Sequence, residues 1–520
     1  MTALSLYDQG PFAPCPEPFN LAAYVLSAGR AVPDKTALEI LAPRCSPERW
    51  SYRRLDQAVH ATAGGLQAMG LAKGAVILMR LGNSVDFPIL YLGAILGGFV
   101  PVPTSSQLTA GETRALIDDL SPDLVAFGQG CEVLDNLTCP RLLPDQVAAL
   151  QQHPPGRTDL GDPGRVAYMI YTSGTSGRPR AVMHAHRAIW ARRMMWQGWL
   201  GINADDRLLH AGAFNWTYTL GVGLMDPWAN GATALIPGDG VSSAELAGLL
   251  AKHRATLFAA APGIYRQMLK PGDLPHMPNL RHAIAAGEKL PPSLAESWRR
   301  LTGTHIYESL GMSECSTFIS TAPPGPPRPG TTGKPQPGRR IAVLNTDDHC
   351  PVPLGQAGVL GIANHDPGLM LGYRGQPEET ARKFAGEWFV TGDMVTMDAE
   401  GWITYLGRDD DMMNAGGYRV SPIEVETALN RHPAIIEAAA VSVEVKPGVE
   451  VIAAFYVADK ALSDGILAAY CAENLARYKC PRLFVPLASL PKGANNKLRR
   501  GELRRQYQQI QQKEVGHDPA

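Results

Sequence analysis

The chain has 520 residues, a length that predicts more than one domain. Hydrophobic residues make up 45% and charged residues 19%, which is typical of a globular protein with substantial cores. A formal net charge of −1 gives no indication of a nucleic-acid partner. The eight cysteines form no C-x-x-C pair, which argues against a zinc site or a disulfide scaffold and favours a reducing, cytoplasmic setting.

Two segments of the sequence bear on whether the protein is directed to a membrane or crosses one. The N-terminal residues MTALSLYDQGPF lack the basic region and the long apolar run of a signal peptide, so we expect none. The most apolar stretch, 87–103, contains three glycines and is too short to span a bilayer comfortably. We predict a buried helix followed by a strand there, and no association with a membrane.

Short apolar runs alternate with helical patterns through the first part of the chain, from which we predict an α/β fold with sheets covered on both faces. Apolar residues have helical spacing at 55–69. The predicted strands are 75–79, 125–127, 166–170, 232–236, 256–260 and 282–286.

The pattern changes at 323–338, which holds seven prolines and four glycines and is predicted to be a turn-rich connector. A small, mostly antiparallel β unit is expected next, and an αβ pattern resumes at 421. The elements predicted here are strands 340–344, 358–363 and 402–406, a helix at 422–429, and strands 438–443 and 451–457. We place a domain boundary at 408–411, where polar residues cluster, which gives domains 1–408 and 409–520.

Residues 171–182, YTSGTSGRPRAV, are the most informative segment. A strand followed by a Gly/Ser/Thr loop supplies hydroxyls and backbone N–H groups, and Arg178 and Arg180 add positive charge, a combination that can cradle a polyphosphate. The spacing fits neither a Walker A loop nor a Rossmann fingerprint. The alternative interpretation is an ordinary surface linker.

Four further segments accompany this loop. They are YESLGMSECSTF at 307–318, WFVTGD at 388–393, YLGRDDDMMNAGGYRVSPIE at 405–424 and PKGANNKLRR at 491–500. In order and spacing the five segments resemble the adenylate-forming superfamily, which includes acyl- and aryl-CoA ligases, peptide-synthetase adenylation domains and beetle luciferases. Within it the chain is most similar to benzoate-type aryl-CoA ligases, on AAGEKLP at 285–291, GTTGKPQPG at 330–338 and GGYRVSPIEVE at 416–426.

The resemblance implies a fold and a reaction. It implies a large N-terminal domain of two α/β subdomains plus a small β unit, and a smaller, mobile C-terminal α+β domain. In the reaction a carboxylate attacks the α-phosphate of ATP to give acyl-AMP, and the thiol of coenzyme A then displaces AMP, with Mg²⁺ as cofactor. The protein supplies mainly positioning and charge stabilisation.

The resemblance also assigns the nucleotide site. The loop residues expected to hold the β- and γ-phosphates are Thr172, Ser173, Gly174, Thr175, Ser176 and Gly177. Arg180 replaces the usual Lys and Ala181 the usual Gly. The residues expected to line the rest of the nucleotide are Gly287, Glu288, Glu308, Ser309, Leu310, Gly311, Met312 and Ser313. Asp393 and Arg408 are expected to bind the ribose hydroxyls.

Three charged residues receive catalytic or conformational roles by resemblance. Glu314 should position Mg²⁺, and Lys497 should lie between the substrate carboxylate and the α-phosphate in the first step. Asp410 is the expected hinge of the C-terminal domain, with Asp409 as the alternative. The Gly416–Gly417 side of that domain should face CoA in the second step. Considered alone, each charged residue also fits a solvated surface.

The acid pocket is assigned by the same resemblance. Its expected residues are Trp216, Thr217, Tyr218, Ala261, Gly263, Thr317 and Phe318. None of them is charged, so we expect an uncharged tail on the acid, an aryl or medium-length apolar group. Trp216 and Tyr218 also fit the alternative of ordinary core aromatics.

Other functions stay open at this point. They are the loading of a carrier-protein thiol instead of CoA, a fatty-acid–CoA ligase, and a nucleotide sensor without catalysis. GTTGKP at 330–335 looks like a phosphate loop but lacks the Walker A residues at both ends, so it receives no catalytic role. Many relatives are dimers, but no residue pattern here decides between a monomer and a homodimer.

Overall fold

The computed structural model describes residues 3–42, 45–172, 180–415, 418–446, 449–493 and 498–515. Residue contacts divide the chain into two compact units. The larger is Tyr7–Arg340 with Ala363–Phe389, and the smaller is Met1–Leu6, Ile341–Ile362 and Val390–Ala520. The predicted boundary between residues 408 and 409 stays a prediction. Within the described ranges, no helix is both long enough and apolar enough to cross a membrane.

A nine-stranded sheet is the centre of the larger unit. From Ile306–Met312 to Thr36–Leu41 its strands pair in parallel, and their side chains are mostly buried, as expected for a sheet packed on both faces. Ser316–Ser320 pairs antiparallel with both of its neighbours. In spatial order the strands are Lys334–Pro335, Ser316–Ser320, Ile306–Met312, His282–Ala285, Leu257–Ala260, Arg207–His210, Thr233–Pro237, Thr36–Leu41 and Glu48–Ser51.

Alternating side chains of these strands enter two cores on opposite faces. Leu209 and Phe258 pack with Trp298 of helix Pro292–Thr302, whereas Leu208 joins a second cluster that contains Tyr218. The other helices of the first core are Leu246–Lys252 and Pro262–Leu269.

A second, four-stranded parallel sheet lies in the same unit. Its strands in spatial order are Val100–Thr104, Val76–Arg80, Leu124–Phe127 and Arg141–Leu142. The helices that accompany it are Tyr52–Ala68, Asp86–Gly97, Ala110–Leu120 and Pro144–Ala149. Ser51 caps the first of these by accepting a hydrogen bond from the backbone N–H of Arg54, and Asp86–Gly97 ends at Gly98, where φ is +89°.

The remaining elements of the larger unit include a three-stranded antiparallel sheet of Val166–Thr172, Arg180–Ala185 and Gly372–Tyr373. The short helices and helical turns are Leu21–Ser27, Ala28–Ala31, Leu150–Gln152, Ala188–Ala191, Arg193–Met195, Trp196–Leu200, Thr219–Met225, Asp226–Ala229 and Pro377–Ala381. Strand Phe384–Ala385 pairs with the first residues of Trp388–Met397.

The smaller unit contains an antiparallel β unit and an αβ segment. The strands of the β unit are Ile341–Leu344, Gly358–Ala363, Trp388–Met397 and Ile403–Arg408, with Leu6–Tyr7 at one edge. The elements that follow are the 3₁₀ turn Asp409–Asp411, strands Met413–Ala415 and Tyr418–Val420, helix Pro422–Leu429, strands Glu437–Lys446 and Val449–Val457, helix Asp464–Asn474, the 3₁₀ turn Arg477–Lys479, strand Leu483–Pro486 and helix Arg500–Val515.

The predicted fold class is confirmed. The predicted strands occur with boundaries shifted by a few residues, and the helix predicted at 422–429 has these same bounds. The apolar stretch 87–103 contains a buried helix followed by a strand, as predicted. The proline-rich connector 323–338 differs from the prediction in one respect, because Lys334–Pro335 pairs as a short strand with Ser320 and Ile319.

Candidate active site

Several predicted site residues of the larger unit lie at one edge of the nine-stranded sheet. Four neighbouring parallel strands lead into them: Ile306–Met312, His282–Ala285, Leu257–Ala260 and Arg207–His210. Gly311, Gly287, Gly263 and Trp216 each lie at or shortly after the carboxyl end of one of these strands. In open α/β sheets this edge is where ligands bind, so the topology alone brings together segments that are far apart in sequence.

The phosphate-type loop is bracketed by a β hairpin. Thr172 is the last residue of one strand and Arg180 the first of the next, and the two are register partners. The predicted loop residues Ser173, Gly174, Thr175, Ser176 and Gly177 lie outside the described residues. The described part therefore fixes the two ends of the loop next to each other.

Arg180 is held by two neighbours in the described structure. Its guanidinium lies 3.2 Å from a carboxylate oxygen of Glu379 and 5.2 Å from the ring centroid of Tyr373. The side chain of Arg180 is 13% exposed. A planar guanidinium can pair with a carboxylate and lie over a ring at the same time, which a compact ammonium does less well.

Glu314 lies in the turn between strands Ile306–Met312 and Ser316–Ser320. Its backbone carbonyl accepts a hydrogen bond from Met370 N–H at 2.7 Å, and its Oε1 accepts one from the Tyr373 hydroxyl at 2.7 Å. Burial and then the neighbouring Glu314 carboxylate raise the pKa of Tyr373, so this hydroxyl stays a donor at neutral pH. Tyr373 thus contacts both Glu314 and Arg180, and brings the two predicted catalytic groups together.

Both carboxylate oxygens of Glu308 are bonded to other groups of the protein. Its Oε2 lies 3.0 Å from Lys289 Nζ, and its Oε1 accepts the Leu290 backbone N–H at 3.0 Å. Lys289 also donates to Thr332 Oγ1 at 3.2 Å. Burial raises the pKa of Glu308, and Lys289 opposes this effect. The predicted contact of Glu308 with adenine stays a prediction, and it would have to be made beside these bonds.

The expected nucleotide wall and the expected acid pocket touch each other. Gly287 has φ +99°, and a Cβ at this position would lie 2.9 Å from the Trp216 ring. Glu288 Oε1 accepts a hydrogen bond from Gly263 N–H at 2.8 Å. Ala261 is buried directly before helix Pro262–Leu269. Two segments predicted to bind different substrates are therefore in direct contact.

The aromatic residues of the expected acid pocket form one cluster. The Trp216 ring is perpendicular to that of Tyr218, with centroids 5.1 Å apart, and Tyr218 stacks on Trp199 at 5.9 Å. The Tyr218 hydroxyl donates to the carbonyl oxygen of Ile284 at 3.2 Å. Thr217, between the two aromatics, is half-buried.

The two residues predicted beyond Glu314 project to opposite sides of their strand. The Thr317 hydroxyl contacts Met195 Sδ at 3.0 Å, and Met195 belongs to the cluster with Tyr218. Phe318 is the next residue of the same strand, so its side chain faces away from Thr317. The local geometry therefore supports Thr317 as a pocket residue and does not support Phe318.

Gly311 allows the close approach of the two strands that flank the Glu314 turn, next to the predicted nucleotide residues Leu310, Met312 and Ser313. A Cβ at this position would lie 2.5 Å from the carbonyl oxygen of Ser316 and 2.7 Å from the Cα of Thr317. The strand register shifts between Leu310 and Gly311, which marks a bulge. Any side chain at Gly311 would force the two strands apart, so the glycine shapes the turn that carries Glu314.

The predicted ribose ligands are partners within the smaller unit. Asp393 and Arg408 face each other across adjacent strands, and Arg408 Nη1 lies 3.3 Å from Asp393 Oδ1. Tyr405 also donates to Asp393 Oδ1, at 3.4 Å, and Asp393 N–H donates to Thr391 Oγ1 at 3.0 Å. Asp393 is 5% exposed. These contacts orient the carboxylate, and both predicted residues come from one β ladder.

The predicted hinge lies in the 3₁₀ turn Asp409–Asp411. Asp410 Oδ1 is 3.5 Å from Arg408 Nε and its side chain is 54% exposed, whereas Asp411 contacts Arg500. Asp410 is thus linked to the predicted ribose arginine. The predicted residues Lys497, Gly416 and Gly417 lie outside the described residues.

Several residues that support the site carry no clear sequence signal. Tyr373 stands in no predicted motif, and Lys289 lies within AAGEKLP without an assigned role. Arg192 and Asp226 form a buried ion pair, and Arg192 Nη1 donates to Ser316 Oγ at 2.5 Å, beside the Glu314 turn. Partners this far apart in sequence become visible only in the folded chain.

Comparison with family models defines the class of protein. A model described as AMP-binding enzyme matches residues 27–374, and one described as AMP-binding enzyme C-terminal domain matches residues 424–497. The chain belongs to the AMP-binding enzyme family, and the resemblance to adenylate-forming enzymes is confirmed.

Comparison with individual relatives indicates which members of the family the chain is similar to. The chain is 32% identical over 482 residues to the benzoate–CoA ligase of Thauera aromatica, covering 88% of this chain and 90% of the relative. It is 30% identical over 478 residues to the 3-hydroxybenzoate–CoA ligase of Aromatoleum sp. (strain CIB), covering 87% and 91%.

Solved structures agree with these relatives. A benzoate CoA ligase from Burkholderia xenovorans LB400 superposes with a TM-score of 0.84 at 28% identity, covering 94% of this chain and 100% of that one. An anthranilate CoA ligase in complex with anthranoyl-AMP superposes with a TM-score of 0.86 at 25% identity, covering 95% and 98%. The chain is thus similar along most of its length to aryl-acid ligases.

Proposed function

We propose that this protein is an ATP-dependent carboxylic acid–CoA ligase that acts through an acyl-AMP intermediate on a benzoate-like acid. Family membership and the aryl-acid ligases among the relatives support the reaction. The observation that carries the proposal for this chain is the contact of Gly287 with the Trp216 ring. It sets the expected nucleotide wall against an aromatic pocket, where an acyl group and an adenylate must meet.

The proposed reaction has two steps. In the first, a carboxylate oxygen forms a bond to the α-phosphorus of ATP and pyrophosphate leaves. In the second, the CoA sulfur forms a bond to the acyl carbon and AMP leaves. We assign Lys497 to the first step, where a cation offsets the repulsion between the carboxylate and the phosphate. The Gly416–Gly417 side is assigned to the second step, after a rotation at Asp410.

Arg180 and Glu314 are assigned to the phosphates. Arg180 supplies fixed positive charge at one end of the loop. Glu314 fits a Mg²⁺ ion that takes most of its ligands from phosphate oxygens and water, because this hard cation needs few protein carboxylates. In the described ranges, no group of three or more His, Cys, Asp or Glu is arranged to hold a metal. When bound, Mg²⁺ would neutralise phosphate charge.

The lining of the proposed acid pocket also helps to decide between an aryl acid and a fatty acid as the substrate. Trp216 and Tyr218 with perpendicular rings make a short, bulky lining that suits a flat ring better than a long flexible chain. An aryl acid is therefore favoured over a fatty acid. The use of a carrier-protein thiol is tested by comparing thioester formation with free CoA and with a purified carrier protein.

The test is pyrophosphate release with ATP, Mg²⁺ and CoA across benzoates, phenylacetate, cinnamates and fatty acids, in the wild type and in Lys497→Ala. We expect a clear preference for an aryl acid, and a loss of adenylation of about 100-fold or more in Lys497→Ala because its charge is removed. The variant should still form the thioester from supplied acyl-AMP, because Lys497 is assigned only to the first step.

Lys492→Ala is the matched control, since Lys492 lies in the same segment but is 2.5 Å from Glu437 Oε1. It should keep both half-reactions. An equal loss of both half-reactions in Lys497→Ala, or silence across the whole panel, would contradict the proposal.

We further propose a cytoplasmic location, supported by the eight cysteines, which are all free in the structure. A homodimer stays a hypothesis that light scattering of the purified chain would decide.

A further inference from the structure

Two buried ion pairs of the larger unit converge on one hairpin turn. Each joins an arginine to an aspartate, and the two pairs are Arg192–Asp226 and Arg339–Asp366. All four residues are at most 6% exposed. The turn is residues 312–316, which include Glu314. Because burying a charge pair costs desolvation free energy, such pairs are weak evidence for a role in stability, and two pairs directed at one turn suggest another role.

The first pair contacts the turn through Ser316. Arg192 donates to the Asp226 carboxylate through Nε, at 2.8 Å, and through Nη2, while its Nη1 donates to Ser316 Oγ at 2.5 Å. The same carboxylate accepts the indole N–H of Trp196 at 3.0 Å. The guanidinium is therefore held by one carboxylate, and its planar fork fixes the direction of the remaining bond to the turn.

Ser316 has a backbone conformation that needs support from its surroundings. Its φ is +63°, in the left-handed region that residues other than glycine adopt only where the surrounding structure enforces it. On the facing strand, Gly311 leaves room for the carbonyl oxygen of Ser316, which would lie 2.5 Å from a Cβ at 311. The bond from Arg192 thus restrains the hairpin at a strained residue.

The second pair contacts the residues on either side of Ser316. Arg339 Nη2 donates to the carbonyl oxygen of Thr317 at 3.0 Å, and Nη1, which also pairs with Asp366, lies 3.6 Å from Cys315 Sγ. Burial raises the pKa of the Cys315 thiol, so the sulfur stays neutral at physiological pH. Together the two arginines contact three consecutive residues of the hairpin, directly after the predicted metal carboxylate.

Asp366 also connects the second pair to the partners of Glu314. Its Oδ1 accepts the backbone N–H of Gly368 at 2.8 Å, at the start of the segment that leads to Met370 and Tyr373. The Met370 N–H donates to the backbone carbonyl of Glu314, and the Tyr373 hydroxyl donates to its carboxylate. One ion pair therefore contacts the hairpin and also fixes the segment that orients the Glu314 side chain.

We infer that the two buried pairs are positioning residues for adenylation, which hold the Glu314 carboxylate in place for its proposed role beside Mg²⁺. Their effect on Glu314 is indirect, through the hairpin and through the segment that follows Asp366. This inference rests on the proposed function. Arginine suits the task because a guanidinium bonds a carboxylate and a second acceptor at fixed angles, which a lysine ammonium does not reproduce.

The first test removes the contact with Ser316 and keeps a charge pair in the core. Ser316→Ala deletes the acceptor of Arg192 Nη1, and Arg192→Lys retains the charge beside Asp226 but loses the fork. Each should raise the Mg²⁺ concentration for half-maximal pyrophosphate release by about 10-fold, because a misplaced carboxylate binds the ion less well. The rate at saturating Mg²⁺ should fall by a smaller factor.

A second measurement does not depend on turnover. Mn²⁺ is titrated into the enzyme with an ATP analogue that has a methylene bridge between the α- and β-phosphorus, and free Mn²⁺ is followed by electron paramagnetic resonance. The Kd for Mn²⁺ should rise by about 10-fold in both variants. The Kd for AMP, which has no β- or γ-phosphate, should keep its wild-type value. A role in stability alone would lower the midpoint of thermal unfolding without separating these two affinities.

Ser320→Ala is the matched control. Ser320 is a buried serine at the other end of the strand that begins at Ser316, and its hydroxyl donates to the carbonyl oxygen of Gly198 at 2.8 Å and accepts from Gln336 Nε2 at 3.2 Å. The control also loses buried hydrogen bonds, but it should keep the wild-type Mg²⁺ and Mn²⁺ values because it lies away from the turn.

Two further variants complete the design. The double variant Ser316→Ala with Arg192→Lys should be no worse than the weaker single variant, because both changes remove one contact. Arg339→Lys keeps the charge opposite Asp366 but loses the fork that reaches Thr317, and it should also raise the Kd for Mn²⁺ by about 10-fold. An unchanged Kd in Arg339→Lys would overturn the role of the second pair.

The outcomes separate this inference from the proposed function. If no acid is adenylated and the ATP analogue does not bind, the proposed function fails and this inference fails with it. If the wild type is active and Glu314→Gln weakens Mn²⁺ binding, but Ser316→Ala and Arg192→Lys behave like Ser320→Ala, only this inference fails. Should a lysine variant not fold, Ser316→Ala, which keeps both ion pairs, still decides.

Discussion

Glu308 and Glu314 belong to one strand and the turn that follows it, but the fold treats them differently. Glu308 is in the strand interior, 7% exposed, with one oxygen on Lys289 and the other on Leu290 N–H. Glu314 is half-buried in the turn, where the Tyr373 hydroxyl binds one oxygen and no described residue bonds the other. The carboxylate inside the strand has both oxygens bonded within the protein. The carboxylate in the turn keeps one oxygen that can bind a ligand.

The sharpest test of this contrast is Glu314→Gln. The amide can still accept from Tyr373, so the fold should be kept, but the negative charge is lost. If Glu314 positions Mg²⁺, adenylation should fall by about 100-fold or more, since electrostatic groups at such sites have effects of this size. Pyrophosphate release as a function of Mg²⁺ concentration is the measurement, with the midpoint of thermal unfolding as the control for folding. Unchanged adenylation in a folded variant would remove Glu314 from the mechanism.

Glu308→Gln should affect stability instead. An amide can accept only through its one oxygen, so either Lys289 or Leu290 N–H loses its acceptor in a buried site. We expect a loss of about 1–3 kcal/mol in the free energy of unfolding, measured by urea denaturation of both proteins. A loss of adenylation in a variant that is as stable to urea as the wild type would contradict the structural role assigned to Glu308.

The pH dependence of this stability difference has a definite sign. Burial raises the folded-state pKa of Glu308 above its ordinary value of 4.5, so the folded protein binds this proton more tightly than the unfolded chain. Its favourable contribution is complete below that ordinary value and is lost as the pH rises through the raised folded-state pKa. The stability of the wild type relative to Glu308→Gln should therefore decrease with rising pH over that window. Urea midpoints of both proteins at several pH values check it, and an increase would contradict the assigned direction.

Tyr373→Phe should have the smallest effect. It removes the hydroxyl that orients Glu314 but keeps the ring beneath Arg180. We expect a decrease of about 3- to 10-fold in kcat/KM for ATP, because Glu314 keeps its charge and loses only one orienting hydrogen bond. Because Tyr373 acts through Glu314, the double variant with Glu314→Gln should be no worse than Glu314→Gln alone. Fully additive losses would show that Tyr373 acts by another route.

The sequence predicts the fold better than it predicts the use of each side chain. Local apolar patterns are sufficient for strands such as Leu124–Phe127 and for helix Pro422–Leu429, because period and capping are properties of neighbouring residues. The pairing of Glu308 with Lys289 joins the interior of one strand to the segment that follows a neighbouring strand, and no local pattern contains it. The expected pocket role of Phe318 stays a prediction for the same reason, since a motif gives its position in the chain but not the face of its strand.

Gly287 and Trp216 have a consequence for how this protein can change over evolutionary time. A side chain at 287 is excluded both by its φ of +99° and by the indole ring 2.9 Å from where Cβ would lie. The ring itself belongs to a half-buried side chain whose replacement requires no backbone strain. Descendants of this protein that accept larger acids should therefore carry substitutions at Trp216, whereas Gly287 should stay glycine.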